Sequence, residues 1–207
     1  IDRFHRALKA TPYRANRALA LLSKMFSLAI RWEWRTDNPV IGVDRNPEEK
    51  RERYLEEDEI QRLDAALADE PDQVSANVIR FLMLTGARRG EVFNATWDQF
   101  DLAKGIWTKD SAHTKQKKRH RVTLNKPTLQ LLTEIQETNR GNYVFPGRSP
   151  HGLRRFWMRV CASAELDDVR VHDLRHTYAS ILASAGVPLT MVGSLLGHTH
   201  VATTARY

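Results

Sequence analysis

The 207-residue sequence predicts a mainly helical α+β protein carrying one small antiparallel sheet. Three observations lead there. Apolar residues recur at spacings of three and four over most of the chain, which is the helical period. A single stretch, residues 99–124, instead carries short β-like runs around a turn at Ala103-Lys104-Gly105. Hydrophobic residues make up 42% of the chain, enough for a packed core, and no apolar run approaches the roughly 20 residues that span a bilayer.

Taken in order, residues 11–34 read as one long helix. Thr11 is placed to cap it and Pro12 suits its first turn. Ala15, Ala18, Leu22, Met25, Ala29 and Trp32 form an apolar stripe, while Arg14, Arg17, Lys24, Arg31 and Arg35 fall on a different face. That basic face reads either as a solvated surface or as one laid on phosphates. One helix cannot bury its stripe alone, so partner helices are expected before Ile1. The chain opens there in a polar stretch without Met and is expected to begin partway through a longer protein.

Residues 36–54 lose the period at Asp37-Asn38-Pro39, Gly42 and Pro47, and read as a connection. A second domain follows. Glu56–Asp69 is predicted as a helix with acids in its first turn, where they suit the macrodipole. Val74–Leu84 is a second helix ending near Gly86, and Arg88–Trp97 a further helical piece. Strands are predicted over Gln99–Leu102, Ile106–Lys109 and Arg121–Leu124. The rest is helical, at roughly 126–138, 150–163, 172–185, 188–196 and 200–206.

Lys and Arg number 32 against 25 Asp and Glu, a formal charge of +7. Such an excess points to a polyanionic partner, nucleic acid ahead of an anionic membrane. Cys161 is the sole cysteine, which excludes a disulfide framework and a CxxC metal site, fits a reducing cytosol, and reads as a buried thiol. The sequence has neither GxxxxGK[ST] nor GxGxxG, so nucleotide-driven chemistry has no recognisable site.

Four clusters can carry chemistry. Ser111–Lys126 holds Lys115, Lys117, Lys118, Arg119, Arg121 and Lys126 without an acid. These cations repel one another unless an anion sits among them, although a solvated hairpin tip is the plainer reading. His172-Asp173-Leu174-Arg175-His176 opens a helix that should place His172, Arg175, His176 and Ala179 on one face and Leu174, Tyr178, Ile181 and Ala185 on the other. His172 and His176 stand at i, i+4, but the Glu of a zinc-protease motif is absent and Arg175 would repel a dication, so no metal is expected. Thr85-Gly86-Ala87-Arg88-Arg89-Gly90-Glu91 sits at a helix junction, with Gly86 as C-cap, and reads by itself as a capping turn bearing two surface arginines. Finally, Leu195-Leu196-Gly197-His198 precedes Tyr207 by nine residues.

Together these pieces resemble the tyrosine recombinase (phage integrase) family. Its pattern is an Arg in a TGxRxxE box, a Lys in a β-hairpin, HxxRH on a helix, then LGH and a Tyr nine residues on. The sequence has TGARRGE at 85–91, TKQKKRHRVTL at 114–124, HDLRH at 172–176, LGH at 196–198 and Tyr207. The resemblance extends to residues 11–43, which look like the last helix of the family's core-binding domain. It implies a DNA breaking-rejoining catalytic fold over 55–207, a linker over 46–54, and the C-terminal part of a helical, SAM-like core-binding domain over 1–45.

Carried over residue by residue, the resemblance implies a site of Arg88, Lys115, His172, Arg175, His198 and the nucleophile Tyr207, supported by Glu91 and Asp173. The DNA contacts expected are Arg14, Arg17, Lys24, Arg31, Lys117, Lys118, Arg119 and Arg121. The implied reaction is site-specific cleavage and rejoining of DNA through a 3′-phosphotyrosine, without metal, cofactor or ATP, for phage or mobile-element integration and excision. The implied setting is cytoplasmic, on double-stranded DNA, as a homo-oligomer, usually a tetramer. Two other readings stand beside it: a type IB topoisomerase-like relaxing enzyme, and a DNA-binding regulator that keeps the fold without the chemistry.

Overall fold

In a computed structural model, the structure describes residues 1–49, 51–109, 120–147, 150–197 and 204. The chain divides into two compact units, Ile1–Glu52 and Arg53–Tyr207.

The first unit holds α1 (Asp2–Ala7) and α2 (Pro12–Arg31). The sequence reading missed α1, whose six residues are too few to show a period. Its His5 is buried, with Nε2 2.9 Å from Asn16 Oδ1. Asn16 in turn donates to Asn46 O and to Glu48 Oε1, both at 2.8 Å, so one buried amide pins the segment after α2 back onto it. The helix expected over 11–34 ends at Arg31, because Glu33 turns left-handed at φ 59°. Thr11 stands at the N-cap without a capping bond from its side chain. The predicted stripe is covered unevenly: Ala15 is buried, whereas Met25 and Trp32 are 55% and 53% exposed. Arg14, Arg17, Lys24 and Arg31 are exposed.

The second unit is organised around α4 (Gln73–Thr85). Asp72 caps it, accepting from the Ser75 N–H at 3.1 Å. Val78, Ile79, Phe81 and Leu82 are at most 2% exposed, as expected of a helix apolar on most sides and therefore surrounded. Around it pack α3 (Glu57–Ala68), α6 (Lys126–Thr138) and α8 (Asp173–Ser184), while α7 (Pro150–Ser163) packs on α3. Cys161 sits on α7, and burial pushes its thiol up to about 11. No helix among the described residues is long and apolar enough to cross a membrane.

The sheet is antiparallel in the order β1 (Phe100–Asp101), β2 (Ile106–Lys109), β3 (His120–Thr123). Trp107 of β2 pairs with Val122 of β3, and both are buried. The Trp107 ring stacks on Phe100 at 5.2 Å and meets the edge of Phe81 on α4 at 5.3 Å, which fastens the sheet to the helical core. Residues of one strand alternate between faces, so Lys109 shares the buried face of Trp107.

The helix expected over Arg88–Trp97 needs correction. It stops as α5 (Arg89–Phe93), and Trp97–Gln99 forms a separate 3-10 turn. The backbone between them is recruited elsewhere: the Val144 N–H donates to Ala95 O at 3.0 Å, and the Trp97 N–H donates to Asn142 O at 3.1 Å. Tertiary hydrogen bonds thus replace the helical ones.

Gly86 ends α4 in the left-handed region, at φ 60°. A Cβ there would lie 2.5 Å from Tyr178 Cδ1 and 2.7 Å from Leu196 Cδ2. Gly86→Ala combines a left-handed penalty with overpacking, and should cost about 2–4 kcal/mol in chemical unfolding; unchanged stability would contradict this account of the junction.

Candidate active site

The end of α4, the start of α5, the far end of β2, the start of α8 and the end of α9 (Leu189–Leu196) meet in one place. Gly86 turns the chain so that Arg88 stands at the N-cap of α5. Glu91, three residues on, folds back to accept the Arg88 backbone N–H at 3.1 Å and its Nη1 at 2.9 Å. Its Oε2 also accepts from Lys109 Nζ at 2.6 Å. Glu91 is 7% exposed and Lys109 4%, so this is a buried ion pair. The Lys109 ammonium also lies 4.3 Å from the Trp107 ring centroid.

Burial alone would raise the Glu91 pKa. The charge and hydrogen bond of Lys109, then the bonds from Arg88, reverse that and hold the carboxyl below its ordinary value. Burial pulls the Lys109 ammonium down, Glu91 opposes it, and the guanidiniums of Arg175 and Arg88 add to the fall.

Arg175 is 4% exposed, and its guanidinium donates to Gly86 O at 2.7 Å and to Leu196 O at 2.8 Å. Arg88 Nη2 lies 3.4 Å from Gly197 O, the next carbonyl along. These carbonyls belong to helix C-termini, where no intrahelical donor remains and the dipole is negative. Gly197 ends α9 at φ 68°, and a Cβ there would come within 3.0 Å of His120 Cε1. His120 Nε2 sits 2.7 Å from Ser194 O, so β3 also closes on the end of α9. Burial holds the His120 pKa below its ordinary value, with the Ser194 carbonyl opposing.

The expected faces of α8 need correction. Arg175 is not set apart from an apolar stripe: it is buried beside Leu174, Thr177 and Ala179, while Ile181, expected inside, is 52% exposed. Where α4 and α9 pack on it, burial follows position along the helix and not one face: the residues up to Ala179 are mostly buried, and those from Ser180 on are half-buried or exposed. His172 and His176 do come together, with rings 5.2 Å apart and nearly perpendicular. Asp173 is buried and accepts the Arg170 N–H at 2.9 Å, fixing the turn into α8. His172 is exposed at the rim of a cavity of about 570 Å³ lined also by Arg89, Arg154 and Arg170 over Ala87 and Trp157.

The structure therefore brings together Arg88, Glu91 and Arg175, and pairs His172 with His176, His172 lining the adjacent basic cavity. Arg121 is exposed on β3. Lys115, Lys117, Lys118, Arg119, His198 and Tyr207 lie outside the described residues. Thr204, three positions before Tyr207, is buried against Gly193 of α9. The sequence reading missed Lys109, whose signal was a lysine two positions after a buried Trp on one strand. It also missed His120, Arg154 and Arg170, which carried no comparable signal.

Residues 53–207 match the Phage integrase family. Among individual proteins, the chain is 31% identical over 196 residues to the integrase of Salmonella phage P22, covering 85% of this chain and 48% of that protein. It is 26% identical over 225 residues to tyrosine recombinase XerD of Pasteurella multocida (strain Pm70), covering 100% and 74%. The chain thus spans about half the length of the P22 protein. Its fold is similar to a lambda integrase(75-356) dimer bound to a COC' core site, with TM-score 0.81, 18% identity, and 96% and 77% of the two chains covered. It is also similar to the Tn1549 transposon integrase in complex with circular intermediate DNA, with TM-score 0.78, 17% identity, and 100% and 78% covered.

Removing Glu91 would leave Lys109 buried without its carboxylate. Glu91→Ala should therefore cost about 3–5 kcal/mol at neutral pH. Because the folded carboxyl titrates lower than the unfolded one, this stabilisation is complete above about pH 4.5 and fades as pH falls through the depressed folded value. Unfolding curves of variant and wild type should converge in acid; a difference independent of pH would contradict the assignment.

Proposed function

The chain belongs to the phage integrase family, and we propose that it is a site-specific recombinase that cuts and rejoins double-stranded DNA through a 3′-phosphotyrosine. The observation that carries the reading is the convergence of Arg88 and Arg175, 87 positions apart in sequence, on the successive carbonyls of Gly197 and Leu196. A phosphodiester carries one negative charge and its pentacoordinate transition state more. Guanidiniums are permanently charged, planar and able to donate in pairs, so two of them suit that change. Groups aimed at developing charge each contribute about 3–4 kcal/mol.

In this reading Tyr207 attacks phosphorus and a 5′-hydroxyl leaves. The phenol, with an ordinary pKa of about 10, gives up its proton as it attacks, and His172 is the acceptor. Lys115 supplies the leaving oxygen's proton, and His198 adds a further donor to a non-bridging oxygen. Glu91 and Asp173 hold the arginine-bearing turns. The covalent link keeps the energy of the phosphodiester, so rejoining needs no ATP. Arg14, Arg17, Lys24, Arg31, Lys117, Lys118, Arg119 and Arg121 contact phosphates. The working assembly is a tetramer on DNA, on the analogy of the lambda integrase tetramer bound to a Holliday junction, a similar fold at TM-score 0.79. It acts in the cytoplasm on phage or mobile-element DNA.

The test is a library of nicked duplexes with random core sequence, from which SDS-stable protein–DNA adducts are recovered. Wild type should form an adduct that Tyr207→Phe abolishes. On the recovered site, Arg88→Ala and Arg175→Lys should slow cleavage by about 10²–10³-fold while retaining DNA binding. Near-wild-type cleavage by either variant would remove that residue from its role, and binding without any adduct would make the chain a binding module.

Replacing Arg17, Lys24 and Arg31 together should reduce the slope of log affinity against log salt by up to about 3, near one for each phosphate no longer neutralised. An unchanged slope would return that face to solvent.

A further inference from the structure

Lys109 has no part in the steps above, yet it is among the most deeply buried charged side chains described, at 4% exposure. A buried ion pair is a poor stabiliser compared with apolar residues of the same volume, because both charges lose their hydration. Its value here lies in what Glu91 touches. The carboxylate spans two cations, with Oε1 2.9 Å from Arg88 Nη1 and Oε2 2.6 Å from Lys109 Nζ. If Lys109 were absent, a carboxylate with 7% exposure would face, among the described residues, Arg88 alone. Arg88 would then be the strongest compensation for that charge among the described residues, and its guanidinium would be drawn into the pair.

We propose that Lys109 is a positioning residue that acts through Glu91: it neutralises the buried carboxylate so that the charge of Arg88 stays available to a phosphate. The balance of charges agrees. Among the described residues, the charges acting on one another here are Arg88, Arg175 and Lys109 against Glu91, two positive charges in excess, which matches the roughly dianionic phosphorane of a phosphodiester transfer. Without Lys109 a single positive charge remains, which balances the ground-state diester and leaves the dianionic transition state one charge short. Lys109 reaches Glu91 from the end of β2, where it pairs across the sheet with His120 and sits over Trp107. The inference rests on the recombinase reading for its chemistry, though not for the anion affinity of the site.

The experiment uses Lys109→Met, Lys109→Arg, Glu91→Gln and the double variant Lys109→Met/Glu91→Gln in the full chain, below the unfolding temperature of each. Two readouts are taken: single-turnover adduct formation at saturating nicked duplex, and the rise in unfolding temperature with inorganic sulfate as a phosphate mimic. Lys109→Met should slow adduct formation by roughly 10- to 100-fold with DNA affinity unchanged, and should blunt the sulfate response. Lys109→Arg should restore both. The double variant should be faster than Lys109→Met and respond more strongly to sulfate, since the uncompensated carboxylate is gone. A purely structural role predicts no such rescue. The inference is overturned if Lys109→Met cleaves within about twofold of wild type, or if the double variant is no better than the single one. Should wild type form no adduct while the sulfate pattern holds, the recombinase reading falls and the charge assignment stands. If neither readout responds to Lys109, the inference fails whatever wild type does.

Discussion

The site is built on a guanidinium with almost no access to water. Arg175, 4% exposed, ties Gly86 O at the end of α4 to Leu196 O at the end of α9. A permanent cation cannot escape burial by shedding its proton, so it must be surrounded by fixed negative ends. The spent carbonyls of two helices supply them. The same bonds set the distance between the TGARRGE turn and the HDLRH helix, and place Arg88 beside Gly197. If the cation were removed, two helix ends would lose their donors at once.

Around this anchor the charges are nested. Glu91 holds Arg88 twice, through its backbone and its side chain, while Lys109 holds Glu91. Arg88, with 39% of its side chain exposed, is the member of the cluster that faces outward. Buried charges thus order an exposed one, which is the arrangement expected where the ligand is an anion whose charge grows during reaction. The basic cavity next to His172 extends the same potential along the surface, with Arg89, Arg154 and Arg170 as its cations.

Much of this was legible in the sequence. The bounds of α6, α7 and β2 fall where periodicity and turn residues put them. Gly86 is the left-handed cap expected of it. What periodicity could not show was how far tertiary contacts override it. The α5 region broke because Ala95 and Trp97 hydrogen-bond to the 142–144 segment, and α8 lost its two-sided pattern because neighbouring elements bury mainly its first half. In the site, the motif boxes identified Arg88, Glu91 and Arg175. Lys109 escaped because a lysine at a strand end reads as solvated, and its partner is 18 residues away on another element.

The central claim is that Arg88 and Arg175 together form one phosphate site. Crystals soaked in tungstate, a tetrahedral oxyanion with strong anomalous scattering, test it directly. The account predicts an anomalous peak whose oxygens lie about 3 Å from nitrogens of both guanidiniums, and its disappearance in Arg88→Ala. A tungstate bound in the basic cavity beside His172, with nothing between the two arginines, would contradict it.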